Sequence, residues 1–330
     1  MKRREFIAVL GSAAAMGLLQ DPVLAQNTSK RALIACVFGG SQGGVADKNF
    51  SDFKQGLSEL GYVEGRDYNL EVRYADGDLR RIPSLTEELL RHKPDVFVSG
   101  TMAGVIAANK LTNTTPIVSE VLTDPVGFGV AASHARPGGN VTGVLQTVED
   151  MPAKLFELAI EVVPDARKIG LLVNPSNPIQ ALFRRDLEAA AQRRGVEAIV
   201  FEASSRDELF TAFQRLAHEN VRIVILPQDA MFLNERKRIA LYAVADHLPT
   251  VFGFGENVDD GGLLSYGTNL RENFRRTATF VDKILKGARP GDLPLEFPTK
   301  LELVINMATA KALGVVIPAS VLARADEVIE

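Results

Sequence analysis

From Ala32 onward the chain alternates short, nearly continuous apolar runs with longer segments in which apolar residues recur every three or four positions. Continuous runs suit strands buried on both faces of a parallel sheet, and the longer spacing suits helices that cover it, so the pattern predicts an α/β fold. Ala32–Phe38 reads as the first strand, and Phe50, Phe53, Leu57 and Leu60 mark the buried stripe of the helix that follows, with Gly61 as its stop. Further strands are expected over Asn69–Tyr74, Asp95–Ser99 and Pro116–Val121. Helices are expected over Pro83–Arg91, which must end before Pro94, and over Ala103–Leu111.

The same grammar returns in the second half, with strands over Lys168–Val173, Val196–Phe201, Arg222–Leu226 and Thr250–Phe252 and helices over Pro178–Arg194, Asp207–Glu219 and Asn234–His247. Equivalent strands stand roughly 130 residues apart, and the helix-glycine-strand phrase Leu60-Gly61-Tyr62-Val63 has a counterpart in Arg194-Gly195-Val196, which predicts two similar lobes. Glycine-rich stretches at Arg136–Gly143 and Asp259–Gly267 read as connections between them. A helix over Asn273–Lys286 would return to the first lobe, and Glu296–Asn306 would cross once more before a closing helix over Met307–Leu313. The expectation is therefore two Rossmann-like lobes, parallel sheets flanked by helices, joined by a two- or three-crossing hinge. Lobe 1 would comprise residues 30–143 plus about 268–295, and lobe 2 residues 144–267 plus about 296–330, with a ligand cleft between.

Composition narrows the function. A chain of 330 residues, 46% hydrophobic and 24% charged, exceeds one ordinary core and fits two. With 37 Lys and Arg against 41 Asp and Glu, the net charge is -4, so no nucleic-acid partner is expected. Cys36 stands alone, which excludes an internal disulfide, and His92, His134, His218 and His247 are too scattered for metal-ligand spacing; no metal or cofactor is expected. At the start, Lys2, Arg3 and Arg4 precede an apolar stretch from Phe6 to Leu19, followed by a small-residue cleavage site at Val23-Leu24-Ala25. Residues 1–25 thus read as a signal peptide, too short for the roughly 20 residues of a bilayer span, and the mature chain would be periplasmic with no membrane span. Arg3-Arg4-Glu5-Phe6-Ile7 resembles a twin-arginine signal, although the general secretory route fits the same residues. Leu33-Ile34-Ala35-Cys36 spells a lipidation box, but the polar stretch holding Asn27, Lys30 and Arg31 separates it from the signal, so Cys36 reads as a buried strand cysteine.

Candidate chemistry lies in the loops after the strands, because strand carboxyl ends and helix N-termini gather at the crevice of a parallel sheet. Ser41, with neighbouring Gln42, and Thr101, with neighbouring Met102, are placed to hold a small carboxylate at helix N-termini. Asp124, beside Pro125, and Asp229 are the carboxylates expected on these rims and would receive an ammonium group, one per lobe. Asn174 and Ser204 add polar groups, while Met231, Phe254 and Tyr266 are candidates for an apolar wall. Each has a plainer reading: Asp124 as a cap, Asn174 as a turn residue, the apolar three as core. The Gly39–Gly44 loop is no dinucleotide fingerprint, since Ser41 takes the place of the second glycine and no Gly-Lys-Ser/Thr follows. Paired arginines at Arg184, Arg185, Arg193 and Arg194 read as a solvated helix face. No G-x-S-x-G elbow occurs and no histidine follows a strand at such a loop, so no catalytic residue is assigned and the chain is not expected to be an enzyme.

Taken in order, Gly61-Tyr62-Val63-Glu64-Gly65, Ala75-Asp76-Gly77-Asp78, Asp124-Pro125-Val126-Gly127, Ala135-Arg136-Pro137-Gly138-Gly139-Asn140-Val141-Thr142-Gly143, Asn174-Pro175, Ser265-Tyr266-Gly267 and Pro298-Thr299-Lys300-Leu301-Glu302-Leu303-Val304-Ile305-Asn306 span nearly the whole mature chain. Together they resemble the ABC transporter substrate-binding family, in the branch that includes tryptophan- and tyrosine-binding members. The resemblance implies an exported two-lobed receptor of the periplasmic binding protein type I fold. Such a receptor closes on a small solute and delivers it to an ABC permease in the inner membrane. It also implies ligand-lining positions at Ser41, Thr101, the Asp124-Pro125-Val126 turn, Asn174 and the Asp229 loop. One departure stands out: relatives show a Gly-Thr-Pro-like loop where this chain has Gly100-Thr101-Met102-Ala103, which would put Met102 against the solute. The expected solute is an amino acid, aromatic or branched, or a related aromatic acid. A sensory module for a membrane signalling kinase is the alternative, and a secreted enzyme a more distant one.

Overall fold

A computed structural model of the protein describes residues 31–146 and 150–330. The signal peptide expected over residues 1–25, and with it the export route, falls outside the described residues. Among the described residues, twelve strands form two sheets and twelve α-helices accompany them. The first sheet comprises β1 (Ala32–Phe38), β2 (Tyr68–Tyr74), β3 (Val96–Ser99), β4 (Ile117–Leu122) and β5 (Val141–Leu145), all parallel, in the order β2-β1-β3-β4-β5. The helices of this lobe are α1 (Val45–Glu59), α2 (Ile82–Arg91) and α3 (Met102–Leu111).

The near-continuous apolar run of β1 follows from burial on both faces. Ala35 and Val37 join a core with Leu89 of α2 and Val105 and Ala108 of α3. Ile34, Cys36 and Phe38 join the opposite core with Phe50, Phe53 and Leu57 of α1. Cys36 is a free, fully buried thiol in mid-strand, flanked by Val72 and Val98 in register, and it serves as core rather than as a lipid attachment point.

The second lobe opens with α4 (Met151–Val162), β6 (Lys168–Val173), α5 (Gln180–Arg193), β7 (Glu197–Glu202) and α6 (Arg206–His218). It continues through β8 (Val224–Leu226), α7 (Ala230–Asn234), α8 (Arg236–Ala245), β9 (Thr250–Phe252), α9 (Glu256–Asp259) and β10 (Leu264–Thr268). Its parallel strands run β7-β6-β8-β9-β10, the order of the first sheet repeated. Next come α10 (Leu270–Leu285), β11 (Leu301–Asn306), α11 (Met307–Leu313), α12 (Ala319–Leu322) and β12 (Glu327–Ile329); β11 pairs antiparallel with β10 and parallel with β12, extending the second sheet. The long helix α10 packs on α1 and across β4 and β5, so it completes the first lobe.

The chain therefore passes between lobes three times: between β5 and α4, between β10 and α10, and between the turn at Pro290–Asp292 and β11. These passages come after the glycine-rich stretches rather than within them. Gly138 donates its N–H to the Gly291 carbonyl at 3.0 Å inside the first lobe, and Asp259–Gly262 links α9 to β10 inside the second. On the last passage Glu296 bridges to Val144 of β5, which ties two of the crossings together. Among the helices absent from the sequence expectation are α7 and α4. Helix α8 lies within the span expected over Asn234–His247, and the short α7 precedes it, because Asp229 caps a helix that begins at Ala230 and the chain turns at Glu235. Helix α4 begins with Pro152 in its first turn, but Asp150 before it has φ 69° and makes no side-chain cap. No described helix is long and apolar enough to cross a membrane.

Candidate functional site

Because the two sheets share one strand order, the carboxyl ends of their central strands bring equivalent loops face to face. A cavity lies there, lined from the first lobe by Phe38, Gly39, Gly100, Thr101, Met102 and Glu120, and from the second by Asn177, Gln228, Asp229, Ala230 and Phe254. About 70 Å3 inside it is open to the centre of a water-sized sphere, several times the roughly 10–15 Å3 that one water needs. Val45, Val121, Leu233, Phe254 and Leu270 form one apolar cluster drawn from both lobes, so the walls meet as a core meets. Asn49 of α1 donates to Glu256 of α9 at 3.2 Å across the gap. Gly39 faces Ala230 so closely that a methyl group on Gly39 would stand 2.5 Å from the Ala230 Cβ. The lobes are thus in contact around the cavity.

Two helix N-termini point at this space. Thr101 caps α3, its Oγ1 accepting the Gly104 N–H at 3.0 Å, which leaves the N–H groups of Met102 and Ala103 at the positive end of the helix, both residues lining the cavity. Thr101→Ala is expected to lower the unfolding free energy by about 1 kcal/mol in urea titration, the ordinary contribution of a capping hydroxyl. In the second lobe Asp229 caps α7. Its carboxylate accepts the N–H groups of Met231 (2.8 Å) and Phe232 (3.1 Å), the Asn174 amide (3.2 Å) and the Asn177 amide (2.8 Å). Burial pushes this carboxyl up and these donors pull it back down. Asp229 is occupied in holding the loops after β6 and β8 together.

Glu120 is the opposite case. It sits in β4 with no solvent exposure, and neither carboxyl oxygen has a hydrogen-bond partner among the described residues. Burial pushes its carboxyl up to about 8. Beside it the β4–β5 ladder slips between Ser119 and Leu122, an irregularity that re-aims side chains, and both Glu120 and Val121 line the cavity. Room for the carboxyl comes from Gly100, where a Cβ would stand 2.9 Å from Oε1 and 2.4 Å from the Phe38 ring.

Of the residues singled out from sequence, Thr101, Met102, Asp229 and Phe254 line the cavity, and Asn174 stands directly behind Asp229. The others are placed elsewhere. Ser41 is half-buried with its carbonyl accepting the Gly44 N–H, and Gln42 is exposed. Asp124 is exposed at φ 44° and accepts the Gly127 N–H at 2.9 Å; it borders a separate cavity of about 300 Å3 with His134, Arg185 and Phe297. Pro125 is buried below it, its carbonyl taking the N–H groups of Val130 and Ala131. Ser204 donates its N–H to Glu208 at the start of α6, Met231 lies in the second lobe's core, and Tyr266 packs on the α4 side of that lobe. The cavity is also lined by Asn177 and Gln228, which stand in the loops after β6 and β8, and by Glu120, Phe38, Asn49, Gln146 and Asn234, which no loop pattern marks. For Glu120 the signal was present: one acid inside the apolar run Ile117-Val118-Ser119-Glu120-Val121-Leu122.

The sequence profile of ABC transporter substrate binding proteins matches residues 41–329. A tyrosine-binding protein of Clostridioides difficile is 25% identical over 267 residues, 81% of this chain and 76% of that protein. Among solved structures, a conserved domain protein from Vibrio cholerae superposes with a TM-score of 0.83 at 26% identity, over 91% of this chain and 100% of that one. The ABC domain in complex with L-Trp from Streptococcus pneumonia superposes with a TM-score of 0.82 at 24% identity, again over 91% of this chain and 100% of the other.

Proposed function

The chain belongs to the ABC transporter substrate-binding protein family, and from that membership we propose that it is an exported receptor that closes on an aromatic amino acid and presents it to an inner-membrane permease. The observation that carries the reading is the cavity built from the facing strand ends of both lobes. A solute held there touches both lobes only when they meet, so its binding energy shifts the open-to-closed equilibrium, and closure is what a permease can read. Phe38, Phe254 and Phe274 supply flat apolar wall for a ring, and the first turn of α3 suits the carboxylate of an amino acid. The relatives named for tyrosine binding and solved with L-Trp favour the same solute class. The leader expected over residues 1–25 would supply export, and no catalytic step is part of the reading.

Thermal unfolding tests it. A solute at 100 times its dissociation constant adds about 2.7 kcal/mol, which raises the melting temperature by a few degrees at this chain length. L-Tryptophan and L-tyrosine are expected to give that rise, ahead of aliphatic amino acids. A melting curve unmoved by every amino acid and aromatic acid at millimolar concentration would end the amino-acid reading.

A further inference from the structure

We propose that the Glu120 carboxyl is the counter-ion for an ammonium group of the solute, received at the first-lobe floor of the cavity. The proposal rests on the reading of the cleft as a solute site and names the group that recognises one end of the guest.

The fold has no use for this carboxyl. Elsewhere the protein satisfies its buried acid fully: Asp229 accepts from two backbone N–H groups and two asparagine amides. Among the described residues on the cavity wall, Glu120 alone has buried side-chain oxygens without a partner. An apolar side chain of similar size would remove that penalty. What the arrangement does serve is a guest that brings donors of its own.

The chemistry of the wall selects the kind of donor. No Lys, Arg or His is among the described residues lining the cavity, so a cation meets no competitor there. Two carboxyl oxygens offer about four acceptor sites, of which a neutral hydroxyl or ring N–H fills one, whereas an ammonium brings three donors and the opposite charge. The rings of Phe38 and Phe274 border the same space, and aromatic faces favour a cation over a neutral donor. The first turn of α3 borders the cavity too, so a zwitterion finds a partner for each end.

The proton balance follows. Burial alone holds the carboxyl protonated near neutral pH. Among the described residues no charged group opposes this. From β1 the nearest titratable group is Cys36, itself pushed well up by burial. From α1 comes the uncharged Asn49, and from α10 come Phe274 and Asn273, whose amide donates to the Glu120 carbonyl, while Arg271 is engaged with Asp52. Across the gap Asp229 keeps its own donors. An arriving ammonium therefore forms its ion pair as the Glu120 O–H proton leaves to the buffer.

Titration calorimetry on the mature receptor near neutral pH, in two buffers of different ionisation enthalpy, tests this. The probes are L-tryptophan, L-tyrosine, their amines tryptamine and tyramine, and the desamino acids indole-3-propionate and 3-(4-hydroxyphenyl)propionate. The wild type is expected to bind the amino acids with release of about one proton and to lose about thirtyfold or more on the desamino acids. Glu120→Gln, which mimics the protonated side chain, is expected to lose about tenfold or more on the amino acids, with no proton release, and to treat the desamino acids as the wild type does. Glu120→Asp is expected to keep the release at reduced affinity. Tight binding of the desamino acids by the wild type, or an unchanged affinity and proton count in Glu120→Gln, overturns the Glu120 assignment and leaves the cleft reading standing. Binding of none of the six probes overturns both.

Discussion

Replacing Gly39 with alanine is expected to weaken solute binding about tenfold or more while the free receptor stays folded, and removing the Ala230 methyl in the same chain is expected to restore most of the loss. Gly39 follows β1 in the first lobe and Ala230 opens α7 in the second. A Cβ on Gly39 would lie 2.5 Å from the Ala230 Cβ, where two carbons rest at about 3.5–4.0 Å. Neither atom belongs to a flexible chain, so the lobes themselves must part by about 1 Å. Within the first lobe the added methyl meets Leu79 at 3.0 Å and Thr101 at 3.1 Å, contacts that side-chain shifts of a few tenths of an ångström relieve. Gly39 is not among the positive-φ glycines, so alanine fits its backbone. The clash therefore falls on the closed state, and apparent affinity drops with the closed fraction. Calorimetry measures the affinities and small-angle scattering the opening. Failure of Gly39→Ala with Ala230→Gly to recover binding would place the damage inside the first lobe and remove Gly39 from any part in closure.

That contact also marks the boundary of what was legible beforehand. β1, β6, β9 and α11 have the limits the apolar pattern implies, because each is a run whose burial is decided by its own residues and bounded by a breaker. Helix α4 was legible as well, since Asp150 and Pro152 are residues that favour a helix start, although in the fold Asp150 is left-handed and makes no side-chain cap. The site was legible where its residues also obey a local rule: Thr101 and Asp229 are visible as caps after strands, and both line the cavity. Asp124 obeys a local rule as well, yet its carboxylate is spent on Gly127 and faces another cavity. Which loop ends meet across the cleft depends on sheet order and lobe closure, and no three- or four-residue spacing encodes that. Glu120 is the sharpest example, since its meaning comes from Phe38, Gly100 and Phe274, each on a different element.

Between about pH 5 and pH 8 the folded receptor, free of solute, is expected to lose stability as pH rises, and Glu120→Gln is expected to flatten part of that slope. The sign follows from where the proton is held. Unfolded, the carboxyl has its ordinary value of 4.5; folded, burial lifts it to about 8. Over the interval between, the native state keeps a proton the unfolded chain has released, so stability is fully present below the lower value and lost as pH passes through the higher one. The side chain is wholly buried, and the effect is of the order of a few kcal/mol. Asp229 and Glu256 are also pushed up by burial and act in the same direction, whereas Asp67, Asp78 and Asp326 are held down by basic partners and act oppositely at more acidic pH. The difference between wild type and Glu120→Gln isolates the one group, because every other carboxyl is common to both. Urea unfolding at intervals across this range measures it. Curves that stay parallel would show that Glu120 ionises in the fold as it does in the open chain, and that its oxygens have found donors. A wild-type curve that instead falls away below the flatter line of Glu120→Gln as pH rises would mean that the first lobe holds an acid whose stabilising partner is not part of the chain.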